Sequence, residues 1–193
     1  MPIVVVTPPT VFPVSRADAK KHLHAEEFAD DDVYIDGLIA AATGHMDGPA
    51  GSLGRAIMPQ VLEWRGDSFG FCDIRLAFPP VVNIVSVKYD DEDGAEQIVP
   101  GTDYRLVGQP GMPRVALTYG ASWPQVMSQS EAVRVRYNAG YPDAASVPAP
   151  IKQAILLLVG HWYANREAVV VGSTVAELPL AVRGLLFPFQ SLA

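Results

Sequence analysis

The stretch that most limits how this chain can fold is VPAPIKQAILLLVGHWYANRE, residues 147–167. Pro148 and Pro150 can sit only at or before the first turn of a helix, because proline fixes φ near the helical value and has no N–H to donate. The spacing therefore predicts a helix starting there. Ile151, Ala154, Ile155, Leu158 and Trp162 recur at helical intervals, and Leu156, Leu157 and Val159 fill much of the remaining circumference. Such a helix needs apolar neighbours on at least two faces. Its apolar run falls short of the roughly 20 residues that span a bilayer, so a buried central helix is expected and no membrane is involved.

The rest of the chain can be read as packing around this helix. At 193 residues it is long enough to bury a sizeable core. Pro8, Pro9 and Pro13 hold residues 1–14 extended. Those residues lack a basic n-region, so they read as neither a signal peptide nor an anchor, and the protein is expected to stay where it is made. Ser15 followed by Asp18 resembles a capping box and opens a short helix over residues 15–24. A second helix is predicted after Asp30, Asp31 and Asp32, whose charge suits a helix N-terminus, with Ile35, Leu38, Ile39, Ala42 and Met46 along one face. Gly37 and Gly44 weaken it by about 1 kcal/mol each relative to alanine, so packing or a closely approaching backbone must stabilise it.

From residue 57 to 138 the pattern alternates instead. Strands are predicted at 60–65, 71–76, 81–89, 95–99, 103–107, 114–119 and 131–137. In the last, Val133, Val135 and Tyr137 face a core, and Arg134 and Arg136 are expected to face water, so that replacing either arginine by alanine should leave stability nearly unchanged. The predicted class is α+β: a small helical bundle carrying an inserted antiparallel β-sandwich or open barrel. The boundaries are an extended arm at 1–14, a helical base at 15–56 and 139–193, and the β insertion at 57–138.

No set of residues announces a chemistry. His22, His24, His45 and His161 lack any metal-ligand spacing and read as surface, capping or hydrogen-bonded interior groups. Cys72, the single cysteine, excludes an internal disulfide and reads as a small buried hydrophobe. The acidic run at Asp90–Asp93 lacks the alternating oxygens of a calcium loop. The glycine-rich residues 48–55 lack the lysine of a phosphate loop, and Asp143 with Ser146 has no histidine partner. No metal, no cofactor and no catalytic residue is therefore expected. With 14 Lys+Arg against 21 Asp+Glu the net charge is -7, which disfavours non-specific attraction to nucleic acid.

The C-terminal Leu185, Leu186, Phe187 and Phe189 are different in kind. They follow AVVVGSTVAELP, which reads as an exposed loop or an edge strand, and residues 180–187 offer one or two helical turns; with Pro179 breaking from the loop and Pro188 stopping the turn, they read as an apolar plug on a flexible tether. Large apolar groups at a chain end are either tucked into the core or offered to a partner; on the second reading the plug is mobile in the free chain and docks on a partner. Its removal after Glu177 should then barely move the thermal transition.

The order of segments resembles the head-tail connector (adaptor, or head completion) proteins of tailed phages and gene transfer agents, often described as possible DNA packaging proteins. The resemblance runs through VSRADAKKHLH, DDDVYIDGLIAAATGHMDG, LGRAIMPQ, LAFPPVVNIVSVKYDDEDG, GTDYRLV and VRVRYNAGYPDAASVPAPIKQAILLLVGHWYANRE, and ends in LP-x-x-V-x-x-LL-x-P. It implies a non-enzymatic virion protein, assembled in the bacterial cytoplasm, forming a twelvefold ring between the portal protein and a downstream tail or stopper protein. DNA would pass through the lumen without specific binding, a role an acidic lining suits. The competing expectation is a ligand- or carbohydrate-binding β domain on a helical base, using Trp64, Phe69 and Trp123 as exposed aromatics. An enzyme of unknown class is the third.

Overall fold

Pro148 occupies the cap and Pro150 the first turn of the central helix, α3 (Ala149–Ala164). The computed structural model describes residues 3–70, 73–109, 111–166 and 180–191. Ile151, Ala154, Ile155, Leu158 and Val159 of α3 are buried. They meet Ala19 of α1 (Arg16–Leu23), then Ile35, Leu38, Ile39 and Ala42 of α2 (Asp32–Gly44), and finally Val182 and Leu186 of α4 (Leu180–Leu186). The predicted need for neighbours on two faces is met by three helices.

Local chemistry sets the helix ends. The capping box at α1 is complete: the Asp18 N–H donates to Ser15 Oγ at 3.1 Å, and the Ser15 N–H donates to Asp18 Oδ2 at 3.3 Å. The helix closes on His24, which adopts the left-handed conformation at φ 54. The acidic cluster before α2 does more than complement the helix dipole. Asp31 makes no cap hydrogen bond and instead accepts from the Tyr163 hydroxyl at 2.6 Å and Arg166 Nη2 at 2.8 Å. Arg166 in turn lies over the rings of Tyr34 and Tyr163. Asp32 pairs with Arg16 and Lys20, and Asp36 with Arg16. These contacts join α2 to the far end of α3 and to α1.

The β region contains β2 (Gln60–Gly66), β3 (Ile74–Arg75), β4 (Val81–Asp90), β5 (Glu96–Ile98), β6 (Tyr104–Val107), β7 (Arg114–Leu117) and β8 (Val133–Ala139). The arm adds β1 (Ile3–Thr7) at the margin. Among the described residues the fold is α+β, with four α-helices, a five-stranded sheet in the order β1-β2-β8-β4-β5 and a three-stranded sheet in the order β3-β7-β6. All pairings are antiparallel. The two sheets share one apolar core containing Leu62, Trp64, Val87, Val133, Val135 and Tyr137 from the larger and Ile74 and Val115 from the smaller. Tyr137 is fully buried and donates its hydroxyl to the Ala77 carbonyl at 3.0 Å. Burial pushes its phenol pKa well up, so the hydroxyl remains a donor.

Two expectations about the sheet are corrected. Arg134 and Arg136 do not point into open water. Arg134 grips Asp90 at 2.5 Å and Glu96 at 3.1 Å, and Arg136 donates to Glu63 at 2.7 Å, with Glu63 itself only 5% exposed. The alternation rule located the second face correctly but could not show that the neighbouring strands place carboxylates on it. Trp64 and Phe69 are buried, and Phe69 stacks on Trp123 with ring centroids 4.4 Å apart. These aromatics fill the β core and offer no exposed stacking platform.

The helical and β cores meet at a short seam. Asp47, just past α2, accepts on Oδ1 from the Ile57 N–H at 2.6 Å and from Gln60 Nε2 at 3.0 Å. The Tyr141 N–H donates to the Ile57 carbonyl at 3.0 Å, and the Gly140 N–H to the Pro80 carbonyl at 2.9 Å. Gly140 is at φ +104, and a Cβ there would overlap the Met58 carbonyl, so glycine is required for this approach.

Candidate functional site

Several of the polar side chains that might have carried chemistry have structural partners. Asp91 in the acidic turn accepts from the N–H groups of Asp93 and Ala95 and from Gln97 Nε2 at 2.8 Å. The Gln97 contact first, then the backbone donors, hold its carboxyl below the usual range. Asp143 accepts from the Ser146 N–H at 2.7 Å, closing the turn that leads into α3. His22 lies against Gly160, where a Cβ would come within 3.3 Å of its Nε2. His24 ends α1, His45 ends α2, and His161 is half-buried on α3. Cys72 lies outside the described residues. Among the described residues, no three His, Cys, Asp or Glu side chains gather as a metal site, and no helix is long and apolar enough to cross a membrane.

An open cleft of about 460 Å³ runs between the end of the large sheet and the chain near Ser191. Ile3, Trp64, Leu76, Phe78 and Pro79 make its walls apolar, and Arg75 is the one titratable group among its described lining.

Residues 48–55 serve as a connector. Gly54, at φ +68, leaves no room for a Cβ against the Ser191 carbonyl. The Ser191 N–H donates to the Leu53 carbonyl at 3.0 Å, and Arg55 Nε donates to the Phe189 carbonyl at 2.5 Å. This loop therefore receives the C-terminal segment rather than a phosphate.

The expected plug divides into two kinds of residue. Leu186 is buried in the helical core beside Val182, and Leu185 and Phe189 pack against that core. Phe187 is 76% exposed and Leu180 84%. Pro188 does not stop the turn but lies within a 3-10 helix, Phe187–Phe189. The described segment is thus seated on the base and is not a loose plug, because α4 completes an otherwise open face of α3. The loop 167–179, including Pro179, lies outside the described residues.

The remaining surface features are apolar, and no sequence pattern marks them. Phe28 and Val33 project near the start of α2, and Val82 and Val85 project from β4. Gly37 and Gly44 face open space, with nothing within 4 Å of the point where a Cβ would stand. Exposed valines in a strand read like core residues until the sheet order is known.

Neither a protein-family model nor a curated protein matches the sequence. The three-dimensional comparison does find matches. The fold is that of chains in gene transfer agent particles. One, from the neck of an empty particle computed with C6 symmetry, aligns at TM-score 0.74 and 23% identity over 100% of this chain and 97% of that one. A second, from the virion of a native particle, aligns at TM-score 0.71 and 22% identity with the same coverage. A third, from the neck of a native particle computed with C12 symmetry, aligns at TM-score 0.71 and 24% identity, again over 100% and 97%.

Proposed function

We propose that this chain is a structural subunit of a phage-like neck: an adaptor that assembles as a ring between portal and tail and surrounds the DNA path. The observation that carries the reading is the end-to-end agreement of fold with chains from gene transfer agent necks, both helices and sheets included. In this reading the helices of residues 15–56 and 139–193 form the base and residues 57–138 the inserted β unit. Phe187 and Leu180, exposed on a firmly seated segment, are the partner contacts, while Leu185, Leu186 and Phe189 hold that segment in place. The net charge of -7 suits a lumen through which DNA passes without being retained. The protein works by shape and buried interface area, without a catalytic step.

The test is removal of the gene from a producing strain, followed by imaging of particles. The expected result is filled heads without tails, with complementation by the intact chain restoring the neck. Normal tailed particles in its absence would overturn the reading. A carbohydrate-binding role finds no support in the packed positions of Trp64 and Phe69.

A further inference from the structure

The large sheet has two open edges of similar length and chemistry. At one, β1 pairs with β2 and, among the described residues, has no strand on its other side. At the other, β5 covers β4 at Lys88, Tyr89 and Asp90, and, among the described residues, 81–86 pair on the β8 side alone. The open sequences are IVVVT and VVNIVS. Neither contains a charged side chain or a proline, the usual devices that keep an edge from pairing with another chain. Both carry valines in solvent, with Val5 at 40%, Val82 at 60% and Val85 at 50% exposure. β-Branched side chains of this kind make favourable cross-strand pairs.

Strand direction decides how two copies could meet. Every neighbouring pair in β1-β2-β8-β4 is antiparallel, so β1 and β4 run in opposite directions. A copy related by rotation about an axis along the strands therefore brings its β1 antiparallel to β4, continuing the alternation of the sheet. Such a head-to-tail contact satisfies both edges in every copy and closes when the rotation closes. A two-fold pairing of β1 with β1 would leave every β4 edge unpaired. The irregular registers at Val5/Thr7, Val81/Asn83 and Ile84/Ser86 add twist at these margins, so the pairing between copies is confined to the short stretches between them.

We propose that β1 of one copy adds to the open half of β4 in the next, so that edge-to-edge strand pairing between identical chains builds the ring. This rests on the ring reading above and deepens it by naming the contact. The test uses the full chain in a Cys72→Ser background. Val5→Cys combined with Val82→Cys or with Val85→Cys should, on oxidation, give covalent species extending beyond the dimer. Each single substitution should give none, because Val5 meets β4 and not another Val5. Independently, Val5→Lys or Val85→Lys should raise the concentration needed for half-assembly by about tenfold, with the thermal midpoint of the dissociated chain unchanged since both side chains are solvent-exposed. A dimer from Val5→Cys alone would overturn the proposal in favour of two-fold pairing. Oligomers that form normally with both lysine variants and without cross-links would overturn it while leaving the ring intact. A chain that neither cross-links nor self-associates also overturns the edge contact, and imaging of the particle neck then decides the ring separately.

Discussion

Glu63 illustrates how one residue can be invisible in a pattern and central in the structure. It sits in β2 with its carboxylate nearly out of water, receiving Arg136 at 2.7 and 3.1 Å and Arg65 at 3.0 Å. Burial alone would push its pKa up, but the hydrogen bonds and charges of Arg136 and Arg65 outweigh it and the net shift is downward. A carboxyl with a depressed folded-state pKa stabilises the fold above its ordinary value and loses that contribution as the pH falls through the folded value. Arg136→Ala should cost about 1–3 kcal/mol, since Arg65 remains as one partner for a buried charge; urea melts at neutral pH will measure it. Asp47 has the opposite sign. Burial raises its pKa despite the donors from Ile57, Gln60 and Gly48, so its contribution is fullest in acid and declines as pH rises through the folded value. Asp47→Asn keeps the Oδ1 acceptor for Ile57 and Gln60 and should flatten that dependence. Asp47→Ala strands the Ile57 N–H and leaves Gln60 Nε2 only its longer contact to the Met58 carbonyl, and should cost about 1–3 kcal/mol, read from the same melts across pH 3 to 7.

Among the elements, α3 is legible in both its existence and its burial, whereas α4 is legible as a helical turn or two but not in its packing. The prolines, the apolar circumference and the length of α3 are local properties of its sequence, and they specify a buried helix before any partner is known. In α4 the sequence LAVRGLL shows apolar residues but not which way they face. Val182 and Leu186 turn inward because α3 offers an unfilled face, and residues 53–55 supply backbone and side-chain partners for Phe189 and Ser191. Deleting the chain after Glu177 should therefore lower the thermal midpoint, because it uncovers part of the helical core. Leu186→Ala, a buried large-to-small change, should cost about 2–5 kcal/mol, whereas Phe187→Ala should leave the melt within about 0.5 kcal/mol while reducing particle incorporation. Calorimetry of the three variants separates core from contact surface. The strands show the same division. β8 is legible from alternation, but β1 is hidden in a proline-rich arm, because its pairing depends on β2, a distant segment of the chain.

For the whole molecule, the seam formed by Asp47, Gln60, Ile57, Tyr141 and Gly140 joins the helical and β cores through partly buried polar contacts. The two cores should consequently unfold together. Trp64 and Trp123 report the β core and Trp162 the helical one, so tryptophan fluorescence and helical circular dichroism should follow a single denaturation curve. Two separated transitions would show instead that the β unit is energetically independent. The amino-acid sequence by itself determined the helix starts, the capping box, the change from helical to alternating periodicity and the α+β class, because each depends on φ restrictions or on side-chain spacing within a few residues. Only the tertiary structure decided that Glu63 lies between two arginines, that the arm becomes a sheet edge, that the C-terminal segment packs inward, and that two uncharged strand edges remain open. Those outcomes depend on which distant segments meet, and the free energy of such meetings is set by contacts between residues that no local pattern brings together.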